Sequence, residues 1–486
     1  MNILSILVLI PLAMTLALFV SRNRKYVRTV VTAGFGLMLA AVGAITVMFL
    51  RQRAVSDAPM LLTADTVWYE ALNIHYAVGV DGISVLMLIL SAVVAFCGVF
   101  SAWNMERDFF AWYCLLAIGV FGYFISLDLF TMFMFYEIAL IPMFLLIGVW
   151  GTGKKEYAAM KLTLMLMAGS ALLLTGILGI YFTTGGTTMN IMELSQLTVP
   201  HGHQYWIFCL VFIGFGVLGA LFPFHTWSPD GHAAAPTSVS MLHAGVLMKL
   251  GGYGCFRMAI FLMPQAAHEL AWIFLILTGI SVVYGAYGAV VQTDLKYINA
   301  YSSVSHCGLV LFAILMLNET AMTGAVMQML SHGLMTALFF SLIGVFYSRT
   351  HTRDIREMGG LMKVMPIASV CYVIAGFASL GLPGLSGFVA EMTVFVGSFQ
   401  HPDLFHRILT IVAATSIVVT AVYILRTVGK ILFGPVVNPD HLKLGDAKWY
   451  EQVAAVVLIA GIVTIGVWPS GVQQVIWDSL KHLNIF

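Results

Sequence analysis

Roughly fourteen apolar stretches follow one another along this chain, each near the 20 or so residues a helix needs to cross a bilayer. Their approximate limits are 3–20, 29–50, 80–102, 109–127, 129–150, 158–183, 204–224, 234–263, 271–292, 299–317, 320–347, 366–397, 406–433 and 451–470. Hydrocarbon offers no partner to a backbone N–H or C=O, so only helices and closed barrels can span it. Barrel strands alternate apolar and polar residues, whereas these runs are continuously apolar. The pattern predicts an all-α polytopic membrane protein of about fourteen transmembrane helices. Composition agrees: of 486 residues, 60% are hydrophobic and 9% are charged. A soluble domain carries about 25% charged residues. The net charge of +1 gives no electrostatic case for nucleic acid or for an acidic partner.

Cations alternate from loop to loop. One set of loops holds Arg22 to Arg28, Arg107, Lys154 and Lys155, Lys296, Arg349 to Lys363, and Lys443 with Lys448; the other holds little beyond Arg51, Arg53 and Arg407. By the positive-inside rule this places both termini on the outer side and requires an even number of helices. The first run has no basic segment before it, and its basic cluster follows it, so it reads as a retained helix rather than a signal peptide. All six cysteines lie in apolar runs without a CxxC pair, which predicts packing roles. No dinucleotide, phosphate-loop or haem motif occurs, so any redox centre is expected in another chain. The longest polar connections, 51–79, 184–203, 348–365 and 434–450, are too short for a soluble domain.

Two segments read as broken helices. Residues 222–236, FPFHTWSPDGHAAAP, contain three prolines and two histidines, and residues 380–388 read LGLPGLSGF. Proline and glycine at membrane depth free backbone groups that must line a cavity or find partners. A pair of such breaks is a signature of transporters built from inverted repeats.

Charges inside apolar runs are rare and usually serve transport or proton transfer. Glu137 lies within Leu129 to Trp150, Lys249 within Ala234 to Met263, and Glu391 within Pro366 to Val396, just after the second break. An acid, a base and a second acid along one hydrophobic chain point to a proton or ion path; the alternative for each is a structural contact with a neighbouring helix. His225, His232, His243, His306 and His332 fall in or beside apolar runs and could relay protons near neutral pH. Among them His306 and His332 stand out, and His243 is expected to be structural. Lys161 could snorkel or relay. Lys296 is expected to cap a turn.

The segment FPFHTWSPDGHAAAPTSVSMLHAGVLMKLGGYG resembles the antiporter-like membrane subunits of respiratory complex I. VDGISVLMLIL, YEIALIPMFLLIGVWG, QTDLKYINAYSSVSHCGLV, MLSHGLMTALFFSLIGVFYSRTHTRDIREMGGL and LPGLSGFVAEMTVFVGSF resemble the same family, over residues from about 75 to 435. VDGIS, and an acid at Glu391 where sister subunits carry a lysine, are similar to the M-type, mitochondrial subunit 4-like member.

That resemblance implies helices 1–3 over residues 1–107, inverted repeats of helices 4–8 over 108–263 and helices 9–13 over 264–433, and a fourteenth helix and tail over 434–486, with helices 7 and 12 discontinuous. It implies proton transfer through Glu137, Lys249, His306, His332 and Glu391, with His225, His232 and Lys161 as further relay candidates. No cofactor is expected in this chain; flavin, iron–sulfur clusters and quinone belong to other subunits. The implied partners are the other membrane-arm subunits, including the L-type and N-type antiporter-like subunits, in a bacterial plasma membrane. One position departs from the family: the lysine expected five residues before Pro223 is replaced by Leu218. Two other readings stay open: a secondary Mrp-like cation/proton antiporter subunit and, because of Leu218, a non-pumping structural spacer.

Overall fold

The computed structural model describes residues 2–482. Its first six long helices are α1 (Ile6–Leu18), α2 (Arg24–Arg53), α3 (Gly82–Ser101), α4 (Arg107–Ile125), α5 (Leu129–Trp150) and α6 (Lys155–Thr183). Next comes α7, in two halves: α7a (His201–Leu218) and α7b (Trp227–Ala234). The helix α8 runs through Thr237–Leu242, a π-helical turn His243–Leu247, Met248–Gly254 and a second π turn Cys255–Ile260. Then follow α9 (Pro264–Val291), α10 (Leu295–Ile314) and α11 (Glu319–Thr350). The helix α12 is again in two halves, α12a (Pro366–Ser379) and α12b (Ser386–Phe399), before α13 (Leu404–Leu432), α14 (Trp449–Val467) and a short amphipathic α15 (Ser470–Lys481).

Eleven helices among the described residues are long and apolar enough to cross a membrane on their own. The other expected spans fall on α1, on the π-interrupted α8 and on the broken α12. The second break, at 380–385, lies within the segment its Pro and Gly predict; the first, at 219–226, begins three residues before the predicted segment, and Trp227–Ala234 within that segment is helical.

Asx caps set where several helices begin. Asp81, Asp128 and Asp294 accept from the backbone N–H of Ser84, Thr131 and Lys296, at the N-termini of α3, α5 and α10. The cation-bearing loops knit together on one side of the bundle. There Arg28 donates to Trp103 O (2.9 Å), Thr152 N to Ala234 O (2.8 Å) and Leu295 N to Arg353 O (2.9 Å), and Arg349 pairs with Glu451 at 2.5 Å. Two small antiparallel pairs close the opposite side: β1 (Leu61–Ala64) with β4 (Val78–Val80), and β2 (Val67–Tyr69) with β3 (Ile74–His75). On that side α15 joins α3 where Gly82 N donates to Ser479 Oγ at 2.8 Å.

The centre is packed by α3, α4, α8, α10 and α11, whose residues are almost all buried. By contrast α2, α13 and α14 turn apolar side chains such as Leu37, Val418 and Val456 outward. Helix α8 crosses the end of α7a with backbone almost on backbone. A Cβ added at Gly251 would stand 2.6 Å from both Gly219 N and Phe215 O. Close approach of this kind is how small residues let membrane helices pack. Gly251→Ala should therefore cost about 1–3 kcal/mol through overpacking. A lowered thermal midpoint of the protein is the expected readout; an unchanged midpoint would show that the crossing can spread without cost.

Candidate functional site

The π turn His243–Leu247 ends two residues before Lys249 in α8. Such turns often mark functional positions, because they displace side chains from the regular helical spacing. Lys249 is 1% exposed, and its ammonium donates to Ala244 O in that turn. The same Nζ lies 2.7 Å from His332 Nδ1 on α11. His332 faces His306 of α10, ring centre to ring centre 5.2 Å. His306 Nδ1 in turn lies 3.4 Å from Glu391 Oε1 on α12b. Four ionisable side chains from four helices thus form one continuous buried line.

Each end of that line is built by an interruption. Glu391 packs where Gly381 takes a left-handed conformation, φ 68°, in the α12 break; a Cβ there would stand 2.9 Å from Glu391 Oε2. Ser379, the last residue of α12a, places its Oγ 3.5 Å from His306 Nε2. Gln328, absent from the sequence-based candidates, enters between them. Its Nε2 lies 3.1 Å from His306 Nδ1. That nitrogen can accept from Gln328 or, when protonated, donate to Glu391; its protonation decides which. The signal for Gln328 is its place one helical turn before His332, on the same face of α11.

A second cluster lies toward the cation-rich side. Lys161 Nζ on α6 pairs with Asp230 Oδ2 at 2.7 Å, and Tyr297 donates to Asp230 Oδ1 at 2.9 Å. Lys161 therefore reaches inward to a carboxylate instead of snorkelling. Asp230, Tyr297 and Arg353 line a cavity of about 620 Å³. His225 lies in the α7 break, its ring 4.9 Å from that of Tyr284. The ring of His232 of α7b packs tilted against that of His243, centre to centre 4.4 Å, and neither ring nitrogen of His232 has a hydrogen-bond partner among the described residues. Lys296 is not at the surface: it is 4% exposed and donates to Ala235 O, the C-cap of α7b, at 2.5 Å.

Glu137 stands apart from both clusters. It sits half-buried on α5 beside α6, and Oε1 has no hydrogen-bond partner. No cation lies within ion-pair distance of it among the described residues. Leu218, where the family pattern has a lysine, is fully buried at the C-terminus of α7a.

One buried ion pair is missing from the sequence-based candidates altogether. Arg257, in the same apolar run as Lys249, pairs with Asp81 at 2.5 Å, both side chains almost wholly buried. Ser84 and Tyr253 complete its surroundings: Arg257 donates to Ser84 Oγ at 3.4 Å and lies over the Tyr253 ring. An arginine in mid-run was the available signal; its partner was hidden because Asp81 also serves as the α3 cap. No cluster of three metal-ligating side chains occurs among the described residues.

A bundle with two broken helices and a buried Lys–His–His–Glu line defines an antiporter-like membrane subunit. Residues 126–429 match the family described as NADH:quinone oxidoreductase/Mrp antiporter, transmembrane. The chain belongs to that family. NADH-quinone oxidoreductase subunit M of Rhodobacter capsulatus is 34% identical to it, over 99% of this chain and 96% of that protein. NAD(P)H-quinone oxidoreductase chain 4 1 of Synechococcus sp. (strain JA-2-3B'a(2-13)) is 35% identical, over 96% of this chain and 89% of that protein. A chain in the structure of respiratory complex I from Thermus thermophilus with bound NADH superposes with TM-score 0.88, at 25% identity, covering 99% of this chain and 100% of that one. The Mrp complex of Dietzia sp. DQ12-45-1b gives the same TM-score at 19% identity, covering 99% and 97%, which shows a shared fold.

Removing one partner of a buried ion pair strands the other charge, at a cost of about 3–5 kcal/mol. Arg257→Met should accordingly reduce incorporation of the subunit into its complex, read on native gels. Adding Asp81→Leu should recover part of the loss, because no buried charge then remains unpaired. Full incorporation of the single variant would mean that water reaches Asp81.

Proposed function

We propose that this chain is the M-type, proton-translocating membrane-arm subunit of an NADH–quinone oxidoreductase. The observation that carries this reading is the continuous line Lys249–His332–His306–Glu391 between the π turn of α8 and the break of α12. Lysine and histidine exchange protons readily once held within hydrogen-bond reach of each other. Glu391 can take the proton that His306 Nδ1 gives up. Glu137 supplies a second acid upstream on α5, and His225, His232 and Lys161 are the candidate relays toward the cation-rich side. That side faces the cell interior and both termini face outward.

Electron transfer takes place elsewhere in the complex, on flavin, iron–sulfur clusters and quinone held by other subunits. The L-type and N-type antiporter-like subunits are the membrane-arm neighbours, in a bacterial plasma membrane. Full-length similarity to subunit M relatives supports this assignment over a free-standing cation/proton antiporter. Lys249, His332, His306 and Glu391, held in contact with one another, titrate as a coupled set.

The test is NADH-driven proton uptake in inverted membrane vesicles, with assembly checked in each variant. Glu137→Gln should keep the complex assembled and lower proton uptake by a factor of about 10² or more, the usual contribution of a positioned proton-transfer group. An unchanged proton-to-electron ratio would remove Glu137 from the path. Leu218→Lys asks the complementary question: added charge beside a working path alters the proton yield, and a spacer ignores it.

A further inference from the structure

A second cavity, of about 290 Å³, opens among the cation-rich loops, and its lining includes Thr152, Ala235, Thr237, Ser341, Tyr347 and Lys296. Lys296 enters it from the start of α10. Among the described residues, the only acceptor its ammonium finds is Ala235 O, at 2.5 Å. The nearby Asp294 carboxylate is engaged by Arg353 at 3.1 Å. A buried ammonium held by one carbonyl and no carboxylate is poorly compensated for its loss of hydration. Capping the end of α7b would need only a cation, and that could have been an arginine.

What lies behind Lys296 is a histidine pair that the hydrogen-bond network leaves unused. Ser240 Oγ donates to His232 O at 3.1 Å and lies 3.5 Å from Ala235 O, so one turn of backbone joins the Lys296 acceptor to His232. The His232 ring is fully buried between His243, at 4.4 Å, and Phe340, at 5.4 Å. Both of its nitrogens, and Nδ1 of His243, have no partner. The residue after His243 is Ala244, whose carbonyl receives Lys249. Two imidazoles with open nitrogens, in contact with each other, therefore stand on the same stretches of α7b and α8 whose carbonyls receive Lys296 and Lys249.

We propose that Lys296 is the residue through which the line is loaded from the cation-rich side, and that His232 and His243 carry the proton from it to Lys249 and His332. This rests on the proton-translocating reading above and names its point of entry. In each step one N–H bond breaks as the next forms. Lys296 gives a proton to His232, His232 to His243, and His243 to the Lys249–His332 pair; hydronium from the cavity side then reprotonates the Lys296 amine. His243 and Lys296 thus move from packing and capping roles into the transfer path.

Arginine separates the two roles of Lys296. It keeps the charge and the bond to Ala235 O but does not release a proton. Phenylalanine at 243 keeps a ring in the stack and removes both nitrogens. In vesicles carrying assembled complex, Lys296→Arg and His243→Phe should each lower NADH-driven proton uptake by about tenfold or more. Where Lys296→Arg fails to assemble, His243→Phe alone decides. Native uptake in either assembled variant overturns the route. If Glu137→Gln abolishes uptake while both of these pump normally, entry lies elsewhere and the translocating function stands. If all three pump normally, the function reading falls as well.

Discussion

Inside hydrocarbon, both charge and free backbone polarity have to be answered by protein groups, and this bundle uses one to answer the other. The end of α7b leaves Ala235 O for Lys296, and the π turn of α8 presents Ala244 O to Lys249. In the α12 break, Gly381 leaves room for the Glu391 carboxyl, and Ser379 at the helix end reaches His306. Several other loose backbone groups are taken by neutral side chains. Trp227 donates to Val217 O at 2.9 Å, Phe222 N donates to Ser281 Oγ at 2.7 Å, and Tyr123 donates to Leu250 O at 2.9 Å. An uninterrupted α7, α8 or α12 would offer none of these carbonyls, and the cations would have no acceptor at that depth.

The helical class, the two breaks and the main ionisable groups are legible in the sequence because each leaves a one-dimensional mark. Apolar length marks the spans, Pro and Gly mark the breaks, and isolated charges stand out in apolar runs. What stays hidden depends on pairing across helices. Lys161 and Asp230 are far apart in the chain, and the inward reach of Lys161 follows only from how α6 meets α7b. Lys296 stands two residues past an Asx cap, the ordinary address of a surface lysine, yet α10 begins beneath the end of α7b and buries it. The π turns of α8 leave no compositional signature: apart from His243 and Arg257 they hold the same small and apolar residues that fill the regular turns beside them.

The Asp81–Arg257 pair shows how a buried charge can serve architecture. Asp81 caps α3 through Ser84 N and holds Arg257 of α8, while the next residue, Gly82, binds Ser479 of α15. One carboxylate therefore joins the start of α3 to α8, close to where α15 is fastened. A buried pair of this kind is weak evidence for stability, since well-packed apolar groups could do as well. Its value here is in fixing the rotation of α8 about its axis. That rotation aims Lys249, two turns earlier on the same helix, at His332.

Leu218 changes the charge balance of the first half of the chain. Among the described residues Glu137 has no counter-ion, and the cation on the adjacent α6, Lys161, is held by Asp230. A lysine at position 218 would have lain at the end of α7a, beside the Gly219–Gly251 crossing and so beside α8. With leucine there, the charge on Glu137 must be balanced by its own proton or by a cation from a neighbouring subunit. Either way its protonation is tied less to the interior of this chain than that of Glu391, which has His306 at hand. The C-terminal half thus holds a self-contained line, whereas the N-terminal acid is open to control from outside.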